Sequence, residues 1–114
     1  MKDDRVYLRH ILDAIAHITT FAGEGEATFR QAVKTQAAVI RFLEVIGEAA
    51  KNLSPGLRSE HPDVRWQGFA GLRDRLIHQY FGVRLDMVWD TVITDLPPLK
   101  EQVSLILDEL NHDA

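Results

Sequence analysis

The chain has 114 residues, 46% of them hydrophobic and 26% charged, and it carries a net charge of −4 with no cysteine. That length fits one globular domain over residues 1–114 and leaves no room for a second; the missing thiols exclude disulfides and cysteine-ligated metal; and the acidic balance argues against tight, sequence-independent binding of nucleic acid. The N-terminus is mixed in charge and no run of about 18 apolar residues occurs, so a soluble, cytoplasmic protein with no membrane partner is expected.

Apolar residues recur at helical spacing throughout, which predicts an all-α, antiparallel helical bundle of four main helices and a shorter C-terminal one. The first helix is expected over about residues 4–21, with Leu8, Ile11, Leu12, Ile15, Ile18 and Ala22 as its seam, and Gly23 and Gly25 break it. A long second helix, about 28–53, is apolar on more than one side, with Val33, Ala37, Ile40, Leu43, Ile46 and Ala50 joined by Val39, Phe42, Val45 and Ala49, as a central element requires. Its polar line, Lys34, Arg41, Glu44, Glu48 and Lys51, is expected to be solvated or to face a dimer partner through local ion pairs. Ser54 and Pro55 read as an N-cap and first position of a short helical turn. The third main helix is expected over about 66–81, stopping at Gly82, with Gly68 and Gly71 suited to close approach by another backbone. A fourth helix over about 85–96 ends at Pro97 and Pro98, which start the fifth.

Charge is unevenly spread: residues 55–84 hold 5 basic and 3 acidic side chains, whereas residues 85–114 hold 1 and 7. Arg65, Arg75 and Arg84 are therefore candidate contacts to a polyanion. Arg73 is different, because on a helix turning about 100° per residue it shares its direction with Trp66, Phe69, Ala70, Leu76, Ile77 and Tyr80. A guanidinium there is costly unless it is paired, solvated in a cleft or placed at an interface, which marks it as a functional candidate.

His78 follows Arg73 after four intervening residues, about 140° away on an ideal helix. A long arginine can wrap toward it, the helix can loosen near Gly82, or a symmetric dimer can complete the pair; spacing leaves the three open. Asp74, four residues before His78, can approach the imidazole on the helix surface, either to raise its pKa and orient it or as an ordinary surface pair. Arginine and histidine without cysteine or a carboxylate cluster suit metal-independent cleavage of RNA, where the 2'-hydroxyl is a built-in nucleophile. The histidine moves the proton and the arginine stabilises the phosphorane. Tyr80 is expected to border the same cleft. His10, Asp13 and His17 resemble metal spacing, but the histidines fall opposite the seam and no further ligand cluster accompanies them, so no metal and no cofactor is assigned.

The run GLRDRLIHQYFGV at 71–83 resembles the signature of HepT-like toxins in the HEPN superfamily, and LEVIGEAAK at 43–51, VWDTV at 88–92 and the stretch from Asp95 to Pro97 are similar to the same family. The resemblance implies a HEPN-like bundle that forms a homodimer, with Arg73 and His78 as the catalytic pair of a ribonuclease toxin in a type VII-like toxin–antitoxin system, Asp74 supporting them. It further implies a minimal nucleotidyltransferase antitoxin that adenylylates Tyr80, and an RNA substrate for which tRNA is a reasonable candidate. The competing expectation is a non-catalytic helical dimerisation or interaction module that binds a nucleotidyltransferase partner.

Overall fold

A computed structural model describes residues 3–79 and 82–113. Its elements are α1 (Asp4–Ala22), α2 (Glu26–Gln31), α3 (Val33–Asn52), α4 (Pro55–Glu60), α5 (Trp66–His78), α6 (Leu85–Asp90), a π-helical turn (Thr91–Asp95) and α7 (Leu96–Asp113). The all-α bundle expected from the apolar periodicity is the fold that forms, with no strand among the described residues. No helix in the described residues is long and apolar enough to cross a membrane.

Local chemistry sets the boundaries. Asp3 caps α1 by accepting from the Arg5 backbone N–H at 2.9 Å, and the Arg5 side chain closes on the same carboxylate at 2.7 Å. Those bonds, the side-chain one first, hold the Asp3 carboxyl down at about 2. The turn into α2 needs Gly25, whose φ of 96° is the one positive value among the described residues.

The long helix anticipated over about 28–53 is two helices, because the chain leaves helical geometry at Ala32 (φ −98°, ψ 104°). The break is held by Gln36, whose side-chain amide donates to the carbonyls of Phe29 at 2.9 Å and Arg30 at 3.0 Å. It also rotates the start of α3 away from the expected register. Val33 is 75% exposed and Ala37 is exposed, while Thr35 turns inward beside Val39, which is buried as expected.

A second departure lies at Pro97 and Pro98, which do not end a helix. Helical backbone runs from Leu85 to Asp113, widened into a π turn at Thr91–Asp95, where the Leu96 N–H bonds to the Thr91 carbonyl five residues back. A proline ring inside a helix clashes with the carbonyl four residues earlier. Those carbonyls belong to Ile93 and Thr94, both inside the widened turn, which gives the two rings room. The C-terminal helix is therefore 18 residues long rather than short.

The helices stand side by side in the order α5, α3, α1, α7, with α3 against α5 and α1 against α3 the most extensive contacts. One hydrophobic cluster runs through the row from Leu72 and Leu76 through Leu43 and Ile46, then Leu8, Ile11 and Ile18, to Leu99 and Val103. The row does not close on itself, since α5 and α7 scarcely touch. The start of α1 is tied to the end of α3 through Asp4, whose carboxylate accepts from the Ser54 backbone N–H at 2.8 Å and from its hydroxyl at 2.6 Å. The same hydroxyl accepts from the Leu57 N–H at 3.2 Å and so caps α4. Ser54→Ala removes both hydroxyl bonds and keeps the backbone N–H bond to Asp4, and it is expected to lower stability by about 1–2 kcal/mol in chemical denaturation, with the helix content of the folded state unchanged.

Candidate functional site

Arg73 is set by the contact between α3 and α5. A Cβ placed on Gly47 would overlap the Arg73 Cβ and come within 2.6 Å of the Phe69 carbonyl oxygen, so α5 lies this close to α3 only because residue 47 has no side chain. Around it Trp66, Phe69, Ala70, Leu72 and Leu76 are buried, and the Arg73 side chain is 26% exposed. The guanidinium is not orphaned. Its Nε meets Glu48 at 2.9 Å and its Nη1 donates to Asp74 at 3.0 Å, while Lys51 approaches Asp74 at 3.4 Å. Two carboxylates therefore balance two cations on adjoining turns of α3 and α5, and among the described residues the Nη2 donors of Arg73 make no hydrogen bond.

This arrangement redirects Asp74. The residue expected to orient His78 instead accepts from Arg73 and Lys51 and has no hydrogen bond to the imidazole. The Arg73 guanidinium, aided by Lys51 against partial desolvation, holds the Asp74 carboxyl below the usual carboxylate range. A side chain one position from Arg73 and on the rim of the α3 contact finds the two cations before it can reach forward along its own helix to His78.

His78 is the last residue of α5, exposed, and makes no hydrogen bond or ion pair among the described residues. The helix neither continues through it nor curls it toward Arg73; the chain departs at Gln79 (φ −100°, ψ 61°). Tyr80, the expected modification site, lies outside the described residues, as does Phe81 at the end of the helix drawn from the sequence. Within the described part of one chain, Arg73 and His78 are not joined.

The three other arginines gather elsewhere. Arg65, Arg75 and Arg84 line a groove of about 910 Å³ between α5 and the α6–α7 segment, and Arg73 is not among its lining residues. Asp63, Asp86, Asp90 and Asp95 line the same groove, and Asp86 already holds Arg84 at 2.9 Å. Its walls carry opposed charges rather than a uniform positive field. The glycines expected to meet another backbone do not: Gly71 has open space where a Cβ would go, and Gly68 meets only the Arg65 side chain, at 3.6 Å. That role falls to Gly47.

Two residues of the site escaped the sequence reading. Glu48 belongs to a stripe expected to be solvated or dimer-facing with local ion pairs, and Gly47 lies inside the apolar run of α3 with no role expected of it. Their signal is their adjacency, a glycine in a helix interior followed at once by a carboxylate. Gly47 admits the arginine and Glu48 receives it.

Fold and site together define an all-helical bundle protein organised around a carboxylate-held arginine at a helix–helix contact. The chain belongs to the HepT-like family, described as Ribonuclease HepT-like, whose model matches residues 11–106. It is similar to the protein named "Putative RNase MJ0127" of Methanocaldococcus jannaschii, with 45% identity over 116 residues covering 98% of this chain and 94% of that protein. It is also similar to "Probable ribonuclease HepT" of Thermococcus cleftensis, 46% identical over 95 residues, 82% of this chain and 86% of the relative. A third relative, "Gamma-glutamylcyclotransferase and putative RNase MJ0434" of Methanocaldococcus jannaschii, is 42% identical over 113 residues; these are 98% of this chain and 51% of that protein, so the chain spans about half of its length. No solved structure matches the chain.

The geometry sets two expectations. Gly47→Ala should cost about 1–3 kcal/mol or more by chemical denaturation, because backbone and the Arg73 stem must move, whereas Gly71→Ala, facing open space in a helix, should gain about 0.5–1 kcal/mol. For Asp74 the pKa is lowered in the folded chain, so its pairing contributes stability that is fully present above the unfolded value of about 3.9 and is lost as pH falls through the lower folded value. Asp74→Asn should therefore lose less stability than wild type when acidified below about pH 3.9, measured as denaturant midpoints at a series of pH values.

Proposed function

We propose that this chain is a metal-independent endoribonuclease, the toxin of a type VII-like toxin–antitoxin pair, in which Arg73 and His78 are the catalytic residues. The observation that carries the reading is the state of Arg73. It is a permanent cation held at a helix–helix contact by Glu48 and Asp74 with its Nη2 donors left for a ligand. Membership of the HepT-like ribonuclease family supports the same conclusion.

The 2'-oxygen of the substrate attacks the neighbouring phosphorus while its proton passes to a histidine nitrogen. The phosphorus–5'-oxygen bond breaks, and the departing oxygen takes a proton from a second acid. Arg73 stabilises the charge that builds on the phosphorane oxygens. The products are a 2',3'-cyclic phosphate and a 5'-hydroxyl, and DNA resists cleavage for want of the nucleophile. Because His78 stands at the exposed end of α5 without a bond to Arg73, a homodimer supplies the convergence, one copy's histidine working at the cleft lined by both arginines. Asp74 supports the site by fixing Arg73. The substrate is RNA, with tRNA the leading candidate. A minimal nucleotidyltransferase antitoxin silences the toxin by adenylylating Tyr80, which adds an anion and a bulky base to the motif that carries Arg73 and His78.

The deciding measurement incubates dimeric protein, shown by mass to be free of AMP, with total RNA and tRNA in EDTA and maps the fragment ends. Wild type should leave cyclic-phosphate ends, and His78→Ala and Arg73→Leu should each lower kcat/KM by about 100-fold or more with helix content retained. Absence of cleavage by that dimer would replace this reading with the non-catalytic interaction module.

A further inference from the structure

A second cavity, of about 270 Å³, lies on the Arg73 side of α3 and is walled by α1, α3 and α5. Tyr7 and His10 contribute rings from α1, Arg41, Glu44 and Glu48 come from α3, and Arg73 comes from α5. The two rings meet edge to face, with centroids 6.2 Å apart. On the α3 wall, Glu44 is sheltered, with a side chain only 16% exposed, yet its one ion-pair partner among the described residues is Arg41 at 3.4 Å, itself 70% exposed. A shielded carboxylate with so long a contact has acceptor capacity to spare. Aromatic rings, a carboxylate with a guanidinium beside it, and a phosphate-seeking arginine thus border one nucleoside-sized space.

We propose that this cavity is a guanine-binding subsite for the RNA, which seats the nucleoside on the 5' side of the phosphate held by Arg73; it rests on the ribonuclease reading above. The chemistry of the wall selects the base. A carboxylate is satisfied in bidentate fashion only by two adjacent donors, and guanine is the one common base whose Watson–Crick edge offers them, at N1 and the exocyclic N2. The next atom along that edge is the O6 acceptor, and Arg41, beside Glu44, is the matching donor. Adenine and cytosine offer one amino donor beside a ring acceptor, and uracil offers one donor between two acceptors, so each sets an acceptor against Glu44. Tyr7 and His10 supply the apolar flank against which the ring rests.

Calorimetric titration with nucleoside monophosphates tests the subsite without any need for cleavage. The dimeric protein should bind 3'-GMP at least ten-fold more tightly than 3'-AMP, 3'-CMP or 3'-UMP. It should also prefer 3'-GMP to 5'-GMP, since a nucleoside on the 5' side of the phosphate held by Arg73 carries that phosphate on its 3'-oxygen. Glu44→Gln, nearly isosteric, should bring guanine and adenine within about two-fold of each other, whereas Arg73→Leu should weaken all four 3' nucleotides by a similar factor and keep the guanine preference. Circular dichroism of each variant checks the fold, and Glu44→Asp, which keeps the carboxylate, should restore part of the preference.

Equal affinity for the four bases, no binding at all, or a guanine preference that survives Glu44→Gln would overturn the proposal, and tighter binding of 5'-GMP would overturn the placement of the nucleoside on the 5' side of the phosphate. The outcomes separate from those of the enzyme assay. Cleavage of RNA with no guanine preference in binding removes the subsite and leaves the ribonuclease, and a guanine preference in a protein that cuts nothing keeps the subsite and removes the ribonuclease.

Discussion

Helix α5 can lie against α3 as closely as it does because Gly47 offers only a hydrogen where every other residue would place a carbon against Phe69 and Arg73. Interiors pack at the density of organic crystals, so the approach is fixed by this one contact and not adjustable around it. From it follow the depth at which Arg73 leaves the helix, its reach to Glu48 on the next position of α3, and the line along which Asp74 meets Lys51. The cavity beside Arg73 has α3 as its floor and inherits the same geometry.

A leucine at position 73 would bury well and need no partner, so the arginine carries a cost in stability that must be offset. Here the offset is electrostatic and local. Glu48 and Asp74 answer Arg73 and Lys51, and the four charges sum to zero within two facing helix surfaces. Because the cluster is partly solvated, pairing holds the guanidinium in place more than it adds net stability. What this arrangement preserves is orientation: two of the three guanidinium nitrogens are committed to carboxylates, and the third is held by planarity in a fixed direction. An arginine so positioned is pre-organised for an anion, which is the property the proposed chemistry requires.

The elements of the bundle are legible in the sequence because apolar periodicity is a strong signal, and along the seam expected of α1 Leu8, Ile11, Ile15 and Ile18 are all buried. What was not legible depended on interactions between segments. The break at Ala32 rests on Gln36 reaching back to two carbonyls, and Ala32 itself is a residue that favours helix. The run through Pro97 and Pro98 rests on a π turn that no local pattern announces. The special position of Arg73 could be seen from its neighbours on the helical wheel, but the identity of its partner could not, because Glu48 is 25 residues away and its place on a polar stripe resembles that of any solvated glutamate. Asp74 shows the same limit from the other side. Its spacing from His78 permitted one pairing, and the fold supplied a stronger one with Arg73 and Lys51.

The acidic balance of the chain bears on how it can engage a polyanion at all. Counterion release from phosphates supplies most of the affinity of basic nucleic-acid binders, and it scales with the number of cations brought to the backbone. Here the arginines are divided. Arg65, Arg75 and Arg84 face carboxylates across the groove beside α6, and Arg73 stands apart from them against α3. A continuous phosphate track is therefore absent from the described residues, and attraction at long range is weak for a chain of net charge −4. Under the proposed reading, selectivity then has to come from contact at one nucleotide: a phosphate on Arg73 and a base in the adjoining cavity. An acidic surface that discourages indiscriminate RNA binding, joined to a single recessed point of recognition, suits a nuclease that acts on particular sites better than one that degrades whatever it meets.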